Sequence, residues 1–168
     1  MTTDIQTWSA WHQQAPRKSV AVGAVVQRGA TLLFVRHTYG TLRGQWSFPT
    51  GFAEPLESPE MTALREVKEE GGVTATVNGL LSLCTLNWEG DIQLYLVWLC
   101  QHIDGEPMPD GVEVDGAMYL SPADLEVFQE PVIPFSRWLA ARVFRGQYQV
   151  LQPVDLTALA PYLGIAFA

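Results

Sequence analysis

The stretch GFAEPLESPEMTALREVKEEGGV, Gly51 to Val73, holds six glutamates, two basic residues and a closing pair of glycines. Its signals mark one short helix. Ser58 stands at the N-cap, Pro59 at the first helical position, where its missing N–H does no harm, and Glu60 beside the positive helix end. Gly71-Gly72 stops the helix, while Ala63, Leu64 and Val67 form an apolar edge suited to a sheet. Glu66, Glu69 and Glu70 follow at i, i+3 and i+4 and are expected on one face. That arrangement is unfavourable by itself. Each like-charge pair costs about 0.2–0.5 kcal/mol, and acids near a helix C-terminus oppose the macrodipole by about 0.3–1 kcal/mol each. Lys68 lies on another side and Arg65 is a single cation, so internal pairing leaves the cluster charged. A solvated acidic face is the plain alternative, but it does not explain why the acids gather at the unfavourable end, beside the apolar edge. A divalent cation does, because hard ions such as Mg2+ take oxygen ligands from carboxylates, water and substrate phosphates.

Outward from this helix the pattern is mixed α and β, with the strands mostly early. KSVAVGAVVQ (Lys18 to Gln27) and TLLFVRH (Thr31 to His37) read as neighbouring strands around a Gly29 turn. TYGTLRGQWSFPTGF is broken by Gly40, Gly44, Pro49 and Gly51 and reads as loops around one short strand near Gln45 to Phe48. After the helix come strand candidates at Leu80 to Asn87 and Ile92 to His102, with a turn at Trp88 to Asp91. GAMYL then gives a short strand that passes into a second Ser-Pro helix start at Ser121-Pro122. PFSRWLAARVF (Pro134 to Phe144) has helical spacing. Residues 1–168 read as one domain, with segments 1–17 and 145–168 as candidate contacts of a homodimer.

The 168 residues carry a net charge of -8 and no basic run, which argues against long nucleic acid as a partner. A small phosphorylated ligand is compatible with that charge, since a bound cation supplies local positive potential. The opening MTTDIQTWSAWHQQ lacks a secretory signal pattern, and no apolar stretch reaches membrane-spanning length, so a cytoplasmic location is expected. Cys84 and Cys100 lie far apart in strand-like segments and are expected to be free thiols.

The acidic stretch resembles the signature of the Nudix hydrolases, MutT-like diphosphatases, written G-x5-E-x7-R-E-U-x-E-E-x-G-U with U a bulky apolar residue. Gly51, Glu57, Arg65, Glu66, Val67, Glu69, Glu70, Gly72 and Val73 fill all nine defined positions. The approach Arg43-Gly44-Gln45-Trp46 and Phe48-Pro49 is similar to the family's, as are Phe52 and Glu54. The resemblance implies an α/β/α sandwich with a mixed β-sheet and Mg2+- or Mn2+-dependent hydrolysis of a phosphoanhydride. It implies that Glu66, Glu69 and Glu70 bind the metal, one of them positioning water. Glu57 would pair with Arg65 or reach a second ion, and the backbone carbonyl of Thr50 or Gly51 would complete the shell. A later acid, Glu113 or Asp115, joins such sites in many members. Two departures, Thr50 and Leu56, stand where glycines are common and put the loop's geometry in question.

The attached moiety is less legible. The SQPWPFPxS-like stretch of NADH diphosphatases is absent, the first proline past the signature is Pro107, and TYGTLRGQWSFP does not resemble the coenzyme A motif. Arg36 and Arg43 are candidates to reach phosphate. Tyr39, Trp46, Trp8, Trp11 and Trp88 are candidates to stack on a base, against the commoner role of aromatics in packing. The resemblance therefore implies a small nucleotide-type substrate, either a nucleoside diphosphate linked to another moiety (ADP-ribose-like or a sugar nucleotide) or a nucleoside triphosphate. The alternative is a catalytically silent nucleotide-binding module on the same fold, against which the intact signature argues. Decapping of RNA and isoprenoid diphosphate isomerisation fit the chain less well.

Overall fold

The computed structural model describes residues 20–88, 91–155 and 165–167. The N-terminal segment 1–17, with Trp8 and Trp11, the centre of the Trp88 to Asp91 turn, and most of the chain beyond Asp155 lie outside the described residues. Strands β1 (Val20–Arg28), β2 (Thr31–His37), β3 (Trp46–Ser47) and β4 (Thr50–Phe52) precede helix α1 (Pro59–Gly71). Then come β5 (Thr74–Trp88), β6 (Asp91–Asp104), β7 (Val114–Leu120), α2 (Pro122–Val127) and α3 (Pro134–Phe144), with a small β8 (Pro153–Asp155) and β9 (Ile165–Phe167) pair. The main sheet runs β3-β2-β1-β6-β5, with β4 also on β1 and β7 also on β2.

β1 is the organising strand, and its sequence explains why. VAVGAVV is apolar almost throughout, as expected of a strand covered on both faces. Val22, Ala24 and Val26 pack with Ala63 and Val67 of α1, while Ala21 and Val25 pack with Leu139 and Val143 of α3. Helices therefore lie on both sides of a mixed sheet, the α/β/α sandwich. The parallel partner of β1 is β6, in register from Val20–Leu94 to Gln27–Gln101.

Two strands, β4 and β5, differ from the sequence reading, each for a pairing reason. β1 and β2 meet only at Gln27–Leu32 and Arg28–Thr31, then splay apart, because β4 takes the other half of that edge at Ala21–Phe52 through Gly23–Thr50. Gly51 and Phe52, expected in a loop, are thus in a strand that anchors the start of the acidic segment. β5 begins at Thr74, ahead of Leu80, carried through Gly79 by bulges along its long ladder with β6. Gly79 has a φ of 153°, and a Cβ there would overlap the Leu151 carbonyl oxygen. The chain after α3 returns to that point, with Leu80 and Leu151 exchanging backbone hydrogen bonds of 3.0 Å. The first part of the 145–168 segment thus packs on its own chain.

The helix ends behave as their residues dictate. Ser58 Oγ accepts from Met61 N, Pro59 begins α1, and Gly72 closes it at φ 73° while donating to Lys68 O. Ser121 and Asp124 form a full capping box on α2. Both cysteines are free thiols.

The turn before α1 carries strain. Glu57 N donates to Glu54 O, Pro55 and Leu56 are the central residues, and Leu56 has φ 70° with its side chain fully exposed. A turn of this kind favours glycine at that position. The left-handed conformation costs a leucine about 1–2 kcal/mol, partly offset in Leu56→Gly by the entropy glycine gains on unfolding. Leu56→Gly is expected to raise the unfolding free energy by up to about 1 kcal/mol in urea denaturation; a lower midpoint would show that the leucine side chain contributes packing.

Candidate active site

α1 turns Glu66 and Glu70 inward, on the face that also buries Ala63 and Val67, while the Glu69 carboxylate stays 56% exposed. The three acids are therefore divided between the buried face and the rim. Room for Glu66 comes from Gly51 on β4: a Cβ there would overlap the Glu66 carboxylate. A side chain there displaces the Glu66 carboxylate from this position, an effect of contact alone, since the backbone of Gly51 is not left-handed.

Arg65 ties the cluster to the preceding loop. Its Nε and Nη2 donate to the two oxygens of Glu57 at 3.0 and 3.1 Å, and Nη2 also reaches Phe52 O at 3.1 Å. Nη1 donates to Glu66 Oε1 at 2.7 Å and Glu69 Oε2 at 2.9 Å. Glu57 further accepts from Thr62 Oγ1 and Glu54 N. The guanidinium, with these donors, pulls the Glu57 carboxyl down to about 2. A bidentate guanidinium–carboxylate pair of this kind fixes orientation as well as charge.

Glu70 is fully buried. Its Oε2 accepts from Thr50 N at 2.8 Å, and its Oε1 has no hydrogen-bond partner. Burial raises its carboxyl to about 9, the Thr50 N–H opposing and the charges of Glu66, Glu113 and Asp110 adding to the rise. Burial raises Glu66 as well, with Arg65 opposing.

His37, at the end of β2, lies against Glu70, with Nδ1 3.8 Å from Oε1. Its Nε2 is 2.6 Å from Ser47 Oγ, and that hydroxyl donates to Phe48 O at 2.7 Å. Ser47 therefore accepts from Nε2–H, and the ring presents its unprotonated Nδ1 to Glu70. Burial lowers the pKa of His37, favouring this neutral form. His37 and Ser47 were not singled out in the sequence. The available signal was alternation along β2, which puts residue 37 on the same face as Leu33, toward α1.

An open cleft of about 470 Å³ adjoins this centre, lined by Arg36, His37, Thr38, Arg43, Gly44 and Asp115. Glu113 is held at its edge: Asp110 accepts from the backbone of Val112, Glu113 and Val114, and Thr38 bonds the carbonyls of Val112 and Glu113. The Glu113 charge reaches Tyr39, Glu66 and Glu70. Asp115 instead pairs with Arg36 at 2.7 Å.

The other sequence candidates divide clearly. Arg36 is committed to Asp115 and to Glu130 at 2.8 Å. Trp46 is only 1% exposed and donates its Nε1–H to Glu130, so its ring is a core element with no face open to a base. Arg43 lines the cleft with no ion-pair partner among the described residues, and Tyr39 is half exposed beside His37. At Thr50 the atom joined to a carboxylate is the N–H rather than the carbonyl.

The donor set suits a hard or borderline divalent cation. Oxygens of Glu66 and Glu69 converge on one positive atom, Arg65 Nη1, and Glu70 offers a buried oxygen without a partner. Among the described residues no three acidic, cysteine or histidine side chains are arranged to hold an ion together, so joint ligation requires Glu66 and Glu69 to turn from Arg65.

Comparison with known proteins agrees with this geometry. The family model described as the NUDIX domain matches residues 17–139. The chain is 33% identical over 108 residues to the NAD-capped RNA hydrolase NudC of Pseudomonas aeruginosa, covering 64% of this chain but 38% of that protein. It is 31% identical over 65 residues to an ADP-ribose pyrophosphatase of Methanocaldococcus jannaschii, covering 39% and 38%. The chain thus spans about two fifths of the length of these curated relatives. The crystal structure of a NUDIX hydrolase from Nitrosomonas europaea superposes with a TM-score of 0.70 at 19% identity, covering 80% of this chain and 74% of that one, a likeness of fold.

The buried carboxyl of Glu70 makes stability depend on pH. Its folded pKa of about 9 lies above that of the unfolded chain, so the folded state holds a proton that the unfolded state has released. The metal-free protein is expected to lose stability as pH rises from about 4.5 toward 9, and Glu70→Gln is expected to flatten that slope. Urea denaturation in EDTA across this range checks it; equal slopes in both proteins would place the dependence elsewhere.

Proposed function

The chain belongs to the Nudix family, and from that premise we propose that it hydrolyses a phosphoanhydride bond in a nucleotide-type diphosphate, using Mg2+ or Mn2+. The observation that carries the reading is the pair of buried carboxylates, Glu66 and Glu70, with one Glu70 oxygen unpaired against His37, a residue that lines the cleft. Glu66, Glu69 and Glu70 would hold the ion, with backbone at Thr50 or Gly51 nearby. Bound there, a divalent cation supplies charge neutralisation of the diphosphate oxygens and acidifies a coordinated water.

The chain's own groups do the remaining work. Glu57 and Arg65 hold the turn before α1 against the helix that carries Glu66, Glu69 and Glu70. A glutamate of the set, or Glu113 from its loop, accepts the proton of the attacking water. Arg43 is placed to bind a phosphate, and the Tyr39 ring to lie against a base.

The names of the NudC and ADP-ribose relatives favour an ADP-like diphosphate joined to a second moiety over a nucleoside triphosphate. The acidic balance of the chain favours small substrates over a long RNA carrying such a cap. Residues 1–168 are read as one catalytic unit acting in the cytoplasm, with a homodimer as its assembly.

The test is product analysis on ADP-ribose, NADH, sugar nucleotides, nucleoside triphosphates and NAD-capped RNA with Mg2+ or Mn2+. Nucleoside monophosphate is expected from a linked diphosphate, with no product in EDTA. Glu66→Gln is expected to lower kcat by about a hundredfold or more, the scale of losing a positioned acid–base group. Nucleotide binding with no product from any substrate would establish the silent binding module instead.

A further inference from the structure

β2 and α1 bring together two buried atoms that nothing in the fold satisfies. His37 Nδ1 and Glu70 Oε1 each lack a hydrogen-bond partner and lie 3.8 Å apart, with 1% and 0% side-chain exposure. The other polar atom of each group is committed: His37 Nε2 to Ser47 Oγ at 2.6 Å, and Glu70 Oε2 to Thr50 N at 2.8 Å. Because the Ser47 hydrogen goes to Phe48 O, the tether fixes the ring with Nδ1 as its acceptor. With Glu70 ionised, as a metal ligand must be, two acceptors face each other, and with Glu70 protonated the gap is still too wide for a hydrogen bond, which spans about 2.7–3.2 Å.

A metal ion fits where a proton does not. Two donors bound to one ion at about 2.0–2.2 Å each lie about 3.4 Å apart at the tetrahedral angle and up to about 4.3 Å apart when collinear, and 3.8 Å falls between the two. A histidine whose second nitrogen is held by a hydrogen bond is the usual setting of a metal-ligating imidazole. We propose that His37 Nδ1 and Glu70 Oε1 form a mixed nitrogen–oxygen pair that binds a first-row transition-metal ion in preference to Mg2+. This rests on the reading of Glu70 as a metal ligand and goes beyond it by adding a nitrogen donor. Mg2+ is bound through oxygen, whereas imidazole favours the transition series. No third His, Cys, Asp or Glu completes this pair among the described residues, leaving positions for water or substrate oxygens. His37 also lines the 470 Å³ cleft.

The probe is Mn2+, read by pulsed electron paramagnetic resonance and by binding titration against Mg2+. The wild-type Mn2+ complex is expected to show nitrogen coupling that changes on 15N-histidine labelling. His37→Leu is expected to abolish that coupling and to weaken Mn2+ binding about tenfold or more, the scale of disturbing a metal-binding histidine, while Mg2+ binding changes less than about twofold. Ser47→Ala, which keeps the ring but frees it, is expected to fall between the two. Should His37→Leu not fold, the labelling result on the unaltered chain decides alone. Mn2+ held by oxygen only, no Mn2+ binding, or equal weakening of both ions would overturn the proposal. None of these measurements needs turnover. An inactive chain with nitrogen-bound Mn2+ would remove the hydrolase reading and keep this site, and an active enzyme with all-oxygen Mn2+ would do the reverse.

Discussion

Two carboxylates on the buried face of α1 set the terms for everything around them. Taking an ionised glutamate out of water carries an effective penalty of several kcal/mol. Burying one valine returns only about 1.5–3 kcal/mol, so the contacts of Ala63 and Val67 do not by themselves hold Glu66 and Glu70 against the sheet. The fold answers each charge locally. Glu66 is met by Arg65 and admitted by the bare backbone of Gly51, while Glu70 receives one N–H from Thr50 and has its proton affinity raised. What remains unanswered, one oxygen of Glu70 beside one nitrogen of His37, is where the molecule has capacity for a cation.

The surrounding architecture makes this arrangement rigid. β4 lies on β1 at Val22–Gly51, and Thr50 Oγ1 bonds Val22 O at 2.8 Å, so the segment opposing α1 is fixed from both sides. Across β2, Arg36 and the Trp46 indole share Glu130, and the close approach of Trp46 requires Gly116 to carry no side chain. Charges that looked available for substrate in the sequence thus serve to lock β2, β3 and β7 together, and the cleft keeps Arg43 as its uncommitted cation among the described residues.

The helix at the centre was legible because its signals are local. Ser58, Pro59 and the Gly72 stop act within a turn of themselves, and the structure places all three as their chemistry requires. The Glu57–Arg65 brace was expected only through the family resemblance, and the structure forms it. Trp46 was not, because whether an aromatic ring lies in a core or a cleft depends on Phe128, Glu130 and Gly116, all distant in the chain. The separation of Glu113 from Asp115 is of the same kind. Two acids two residues apart on β7 and its approach differ only in which of them meets Arg36.

Sequence alone determined the family, the acidic helix and its caps, and the oxygen chemistry of the candidate metal ligands, because a nine-position signature and short-range capping need no tertiary context. The tertiary structure decided which glutamates are buried, that the bare backbone of Gly51 lies against the Glu66 carboxylate, and that His37 faces Glu70. Those facts arise from the register of β4 on β1 and the packing of α1 on the sheet, contacts such as Val22–Gly51, 29 residues apart, and His37–Glu70, 33 apart, that short-range signals do not encode.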